Sequence, residues 1–432
     1  MKMSRRGTAG AVALTMVILL AGCSAPDIPG DETDGKTGVP NDVAADVGVD
    51  WELAETGFDE GSEVRSIATG AGRVWVEVFV EGAGCDELQL WWSADALTWQ
   101  REDLAAAGIP EEALCNLGVS SFAPGPTEMS GDDDTFTFGL FLDEPMLDLL
   151  GISYTTHVRG AEWVLRFDGE IWSSHGLPGN GLLERQTLPG YWDGASTPRD
   201  SATVNGATMF VTTGGWFQEG RTTGETFHAR YVDSEGVGSV IQSLGEPFLA
   251  ADGEFRRSDF VTHNGTEWIV VGELGVGLDG IAVWSSPDAR EWTLTRIPGP
   301  GNDALYSIDA LAHGDVGTII SGTVDPDSYE EPHRAFVLLS TDGREFEVIE
   351  LPTPVGAAAD VDVNEVSWVG DRYVAVGTYS TDIFLQQSFD GRVWTEIGVP
   401  DLRRPRGEIV RWGTGWVGYF GGLVLLTGLA AS

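Results

Sequence analysis

The chain has 432 residues, with 67 Asp and Glu against 25 Lys and Arg, for a formal net charge of −42 at pH 7. Hydrophobic residues make up 42% and aromatics 10%, enough for a large core, so 58 Gly and 20 Pro do not signal disorder. The charge argues against a nucleic-acid partner and against adhesion of the domain itself to anionic lipid, both of which need a basic face; three cysteines exclude a disulfide-dense scaffold.

Residues 1–22 predict a secretory signal. Lys2, Arg5 and Arg6 supply the positive start, and Ala9 to Leu20 supplies an apolar run short for a membrane span. The run ends in Leu20-Ala21-Gly22-Cys23, which resembles the bacterial lipobox. The resemblance implies cleavage before Cys23 and a lipid on its sulfur, anchoring an extracytoplasmic protein to the bacterial cell membrane. Residues 23–46 then form the lipidated cysteine and a flexible acidic tether, rich in Asp, Gly, Pro and Thr and without aromatics. Fully extended, such a tether reaches about 75 Å.

A repeat runs through the remainder. Ser93-Ala94-Asp95-Ala96-Leu97-Thr98-Trp99, Ser286-Pro287-Asp288-Ala289-Arg290-Glu291-Trp292 and Ser388-Phe389-Asp390-Gly391-Arg392-Val393-Trp394 share the pattern S-x-D-x-x-x-W. Ser340, Asp342 and Phe346 repeat it with Phe closing, and Asp168 and Trp172 repeat it with Arg166 opening. Tyr231, Asp233 and Val237 mark a worn copy. A turn followed by an apolar run precedes most copies: Asn205-Gly206, Asn264-Gly265, Gly314-Asp315 and Gly370-Asp371. His263 and His313 fall at these turns and are read as exposed turn residues.

The repeat resembles the Asp-box, or BNR, repeat of sialidase-like β-propellers. In physical terms the carboxylate accepts backbone N–H bonds inside a hairpin turn, and the closing aromatic packs between sheets. The resemblance places the boxes at the turn between third and fourth strands, opposite the ligand face, so these aspartates are assigned to structure. The repeat spacing predicts an all-β, seven-bladed propeller of four-stranded antiparallel blades in one domain, 47–432. Six boxed or box-like blades span 64–400. Three strands without a box follow. Asp50-Trp51-Glu52-Leu53 matches Trp394-Thr395-Glu396-Ile397, so the N-terminal strand is expected to complete the last blade. A six-bladed ring is the alternative. Cys85 and Cys115 lie in connections expected on one face and are paired here as a disulfide.

Two constellations could carry function. Counting back five or six residues from each first turn reaches Arg65, Asp200, Asp259, Asp309, Glu365 and Glu408, on the innermost strands. These would line a negative central channel able to hold a cation such as calcium; no other cofactor or metal is indicated. The loop face holds Trp192, Asp193, Trp216, Arg221, Tyr329, His333 and Arg334, an aromatic and charged set suited to sugars. Asp132-Asp133-Asp134 reads as a solvated turn.

The sialidase resemblance implies an arginine triad and an early Arg-Ile-Pro motif. Val64-Arg65-Ser66-Ile67 keeps the Arg and lacks the Pro; Arg296-Ile297-Pro298 has the letters but follows a box on an outer strand. The expected function is a monomeric, membrane-anchored propeller that binds a glycan, peptide or envelope protein through its loop face without catalysis. The alternatives are a sialidase-like or other glycoside hydrolase using Asp259 or Asp309 with Arg65, and a factor assisting assembly of envelope or membrane complexes.

Overall fold

The computed structural model describes residues 49–54, 56–58, 62–80, 87–107, 109, 128–143, 160–176, 192–193, 197–218, 221–234, 238–240, 256–274, 280–299, 305–325, 332–354, 360–379, 382–398, 407–412, 415–420 and 424–430. The chain divides between Asp46 and Val47, and every described residue lies in the second unit. That unit is an all-β propeller of four-stranded antiparallel blades.

The described strands form seven sheets. The first contains Ser62–Gly70, Arg73–Val80, Glu87–Ser93 and Gln100–Arg101; the second contains Glu128–Gly131, Phe136–Asp143, Gly160–Phe167 and Trp172–Gly176. The third contains Thr197–Val204, Ala207–Gln218, Arg221–Val232 and Gly238–Val240, with Trp192–Asp193 added beside Ala207–Gln218. The fourth contains Arg256–His263, Trp268–Leu274, Ile281–Ser286 and Thr293–Ile297; the fifth contains Leu305–Gly314, Gly317–Asp325, Arg334–Ser340 and Glu347–Glu350. The sixth contains Val361–Trp368, Tyr373–Tyr379, Asp382–Ser388 and Thr395–Ile397. In the seventh, Gly407–Trp412, Gly415–Phe420 and Val424–Ala430 are joined by Val49–Leu53 from the other end of the chain, with Val49 opposite Ala430 and Leu53 opposite Leu426.

First strands of successive sheets are neighbours in chain order, and the seventh returns to the first. Second strands are therefore covered on both faces. This explains why Val74-Trp75-Val76 and Tyr373-Val374-Ala375-Val376 are nearly continuous apolar runs, all buried, while the fourth strand Glu347–Glu350 is mostly exposed. Apolar clusters fill each seam. Trp75 is fully buried between the first two sheets, stacked 4.2 Å from Phe136, and its Nε1 donates to the Gly70 carbonyl at 3.0 Å.

The repeated turns form as carboxylate-centred clips. Asp95 Oδ1 accepts from the N–H of Leu97 at 2.9 Å and of Thr98 at 2.7 Å, and from Ser93 Oγ at 2.9 Å. Asp288, Asp342 and Asp390 accept equivalent pairs, and Asp168 accepts from Glu170 and Ile171. The residue after each Asp has positive φ. It is glycine in Gly169, Gly343 and Gly391 but alanine in Ala96 (φ 60) and Ala289 (φ 59). Those two methyls are buried, so apolar burial offsets a strain of about 1–2 kcal/mol. The closing aromatic packs toward the preceding sheet: Trp99 against the seventh, Trp172 against the first, Trp292 against the third, Phe346 against the fourth and Trp394 against the fifth.

These N–H donors hold the Asp95 carboxyl down to about 2, and those of Asp168, Asp288 and Asp342 below the usual aspartate range. A depressed folded-state pKa contributes stability above the unfolded value, which is lost as pH falls through the folded one. Urea midpoints followed by tryptophan fluorescence should therefore fall between about pH 4 and pH 2. Asp95→Asn should be less stable at neutral pH and show a shallower fall in that window. A parallel fall in both proteins would show that the clip carboxylate is not the titrating group.

Candidate functional site

Five first strands carry a β-bulge at one repeated position. The register slips between Val64 and Ser66, Pro198 and Asp200, Ser258 and Phe260, Ile308 and Ala310, and Val363 and Glu365. The extra residues are Arg65, Arg199, Asp259, Asp309 and Asn364. A bulge breaks the ladder and re-aims a side chain, so five of the six sequence-predicted channel residues sit at a bulge or one residue past it. Glu408 occupies the place of Ser66 by count from its turn, in a strand that pairs without a slip.

First strands are sheet edges, and carboxylates from neighbouring sheets take some of their backbone N–H groups. Asp200 Oδ2 accepts from Val261 N of the fourth sheet at 2.7 Å while its Oδ1 accepts from Ser201 N at 2.8 Å. Glu408 Oε2 accepts from Ile67 N of the first sheet at 3.0 Å. Glu273 Oε1 accepts from Ile308 N of the fifth sheet at 3.1 Å. Asp309 accepts from Ser307 Oγ at 3.0 Å and Thr323 Oγ1 at 2.8 Å. Arg65 lies 3.7 Å over the Phe79 ring, and the Tyr419 hydroxyl donates to the Arg65 carbonyl. Asp259 is placed by its strand; its side chain lies outside the description.

Burial dominates the charge state of this ring. It raises the Asp309 carboxyl to about 6, with Asp362 and Glu273 adding to the rise. Glu365 is raised well above the usual range by desolvation, then by Glu408 and Asp200, while Ser367 Oγ donates to it at 3.2 Å. The sequence reading missed Glu77, which is 3% exposed and raised to about 8 by burial, with Arg65 lowering it and Glu408 raising it. Its signal was present: a lone acid inside Val74-Trp75-Val76-Glu77-Val78. Among the described residues, no group of three or more His, Cys, Asp or Glu side chains is placed to share a metal ion.

The loop face differs from expectation in one respect. Trp216 and Arg221 lie not in a loop but at the tip of the two twelve-residue strands of the third sheet. Trp192–Asp193 pairs there, with Trp192 opposite Phe217 and Asp193 opposite Trp216. Two aromatic segments distant in sequence thus share one sheet edge. His333 and Arg334 are engaged locally: His333 N donates to Asp360 at 2.9 Å, His333 Nδ1 lies 3.3 Å from Asp362, and Arg334 pairs with Glu350 at 3.3 Å. Tyr329, Cys85 and Cys115 lie outside the described residues.

Two turn assignments need correction. His263 and His313 are half-buried ends of first strands, because each ring packs against its own sheet: His263 at 4.8 Å from Trp268 and His313 on Thr318 Oγ1 at 2.9 Å. Asp132 is more than a solvated turn. Its Oδ1 accepts from Thr135 N at 2.8 Å, and its Oδ2 accepts from Gly206 N of the third sheet at 2.7 Å.

No protein-family model and no curated protein matches the chain. Solved structures match in fold. The chain is similar to the polysaccharide lyase Uly1, with a TM-score of 0.51 at 10% identity, covering 85% of this chain and 90% of that one. It is similar to the β-propeller domain of the Trilobed protease from Pyrococcus furiosus, with a TM-score of 0.46 at 9% identity, covering 86% and 94%. A Trypanosoma rangeli sialidase matches with a TM-score of 0.40 at 12% identity, covering 85% of this chain and 54% of that one. The ring of four-stranded sheets defines the class as a β-propeller; the solved structures that match include peptidases, lyases and a sialidase.

Because Glu77 holds its proton in the folded state up to about pH 8, its contribution is fully present below the unfolded value of 4.5 and is lost as pH rises through 8. Stability should fall across that window by up to about 1.4 kcal/mol per pH unit. Glu77→Gln, unfolded in urea at successive pH values, should reduce that slope, with Glu365 and Asp309 supplying the remainder, and gain stability at pH 8. An unchanged slope would place the titration elsewhere.

Proposed function

We propose that this protein is an extracytoplasmic, lipid-anchored, non-catalytic β-propeller that binds a glycan, peptide or envelope protein through the loop face. The observation that carries the reading is the long hairpin of the third sheet, which brings Trp192–Asp193 into register with Trp216–Phe217. Aromatic residues paired along one sheet edge suit a ligand with apolar faces and polar rims. The inner acids support the same reading. Asp200, Glu408 and Glu273 hold backbone N–H groups of neighbouring sheets, which is a structural use of the carboxylate.

We read the seven sheets as seven blades, the repeated turns as Asp-boxes, Cys85–Cys115 as a disulfide, and the protein as a monomer. Val49 lies beside Ala430, at the end of its sheet where the other sheets carry the repeated turns. Cys23→Ser should abolish lipid labelling and move the protein from the membrane fraction to the medium. Continued labelling would overturn the anchor.

A second reading rests on Asp309. A carboxyl raised to about 6 is poised as a general acid, as glycoside hydrolysis requires. Fluorogenic glycosides, including a sialoside, separate the two. The binding reading expects no turnover, together with glycan or peptide binding weakened about tenfold or more by Trp192→Ala or Trp216→Ala. Turnover abolished by Asp309→Asn would replace it with the hydrolase.

A further inference from the structure

A cleft of ≈ 410 Å³ opens at the box end of the seam between the fourth and fifth sheets. Its walls come from three turns: Asn264 and Glu267 from the first turn of the fourth sheet, His313 and Thr318 from the first hairpin of the fifth, and Thr341 and Arg344 from the clip centred on Asp342.

Most polar groups here are already engaged. Asn264 Oδ1 accepts from Thr266 N, Thr266 Oγ1 and Glu267 N, and Asp342 Oδ1 holds the clip N–H groups. His313 Nδ1 shares a hydrogen with Thr318 Oγ1, which leaves Nε2. Among the described residues, neither the Glu267 carboxylate nor the Arg344 guanidinium makes a hydrogen bond or a close ion pair, although the Arg344 charge acts on the Asp342 carboxyl beside it. They line one cleft with opposite charge yet do not reach each other. In the sixth sheet, by contrast, Arg392, which holds the clip position of Arg344, pairs with Glu347 at 2.9 Å. Opposite charges held apart across a cavity are complementary to a molecule that carries both signs.

We propose that this cleft binds a small zwitterion of amino-acid or dipeptide size. Arg344 takes the carboxylate through its planar fork. Glu267 accepts from the ammonium group. Thr341 and His313 Nε2 supply hydrogen bonds between them. The site is independent of the loop-face reading, since it lies at the opposite end of the sheets and uses none of the same residues.

The test uses the full-length protein in calorimetric titrations with four probes: L-alanine, L-alanyl-L-alanine, its N-acetyl form and its C-terminal amide. A saturable isotherm is expected with alanine or alanyl-alanine. Either cap should weaken dipeptide binding by at least about tenfold, the worth of one charge-assisted contact. Arg344→Ala should stop discriminating against the amide, and Glu267→Gln should stop discriminating against the acetyl form. Neither side chain makes a hydrogen bond or close ion pair with a described residue, so both variants should melt close to the parent when no ligand is present. Failure of both alanine and alanyl-alanine to bind at millimolar concentration overturns the proposal. So does equal binding of capped and uncapped dipeptide, or binding that survives both substitutions unchanged.

Discussion

The fold depends on one pairing, that of Val49–Leu53 with Val424–Ala430. A ring of sheets buries its second strands on both faces only if the last sheet meets the first. Here that meeting is made by the two ends of the chain. The segment after the N-terminal strand continues the work: Ala54 joins the apolar cluster of that seam, and Phe58 lies 5.0 Å from Trp91 and 6.2 Å from Trp99. Glu408 adds a polar stitch to Ile67 across the same seam. Long-range closure of this kind gives Val424–Ala430 a partner, so the last sheet does not end on its third strand.

One residue type plays two opposite electrostatic roles. At the outer turns a carboxylate faces several converging N–H groups and stays charged to low pH, as Asp95 does at about 2. On the inner strands desolvation outweighs the hydrogen bonds, and Asp309 rises to about 6. The difference is not in the side chain but in what surrounds the charge: solvent and aligned dipoles in one case, packed sheets and other acids in the other. An abundance of acids is compatible with a stable fold because many are built in as hydrogen-bond acceptors. Those at Asp132, Asp200 and Glu408 join one sheet to the next.

The repeat made much of the architecture legible. Each clip is local, with an Asp, two N–H groups and an aromatic within seven residues, so its geometry follows from sequence alone. The N-terminal strand was legible for a similar reason, because Asp50-Trp51-Glu52-Leu53 carries the pattern of a fourth strand. Arg65 and Asp309 were found by counting from turns, since a strand preserves spacing. What such counting does not contain is the bulge, a pairing irregularity that depends on the partner strand. Glu77 lies on the strand after its turn, so counting back from turns does not reach it; its place in an apolar run is its only sequence mark.

The sequence by itself determined the strand order, the turn chemistry and the sheet interiors, because these rest on short-range hydrogen bonds and on two-residue periodicity. Only the tertiary structure decided which carboxylates meet which amides, why His263 and His313 are half-buried, and that Trp192–Asp193 lies beside Trp216–Phe217. It alone decided that Glu267 and Arg344 share a cleft without touching. Each of these joins residues from separate turns, strands or sheets. Their distances are set by how the sheets pack around the ring, and no local pattern records that packing.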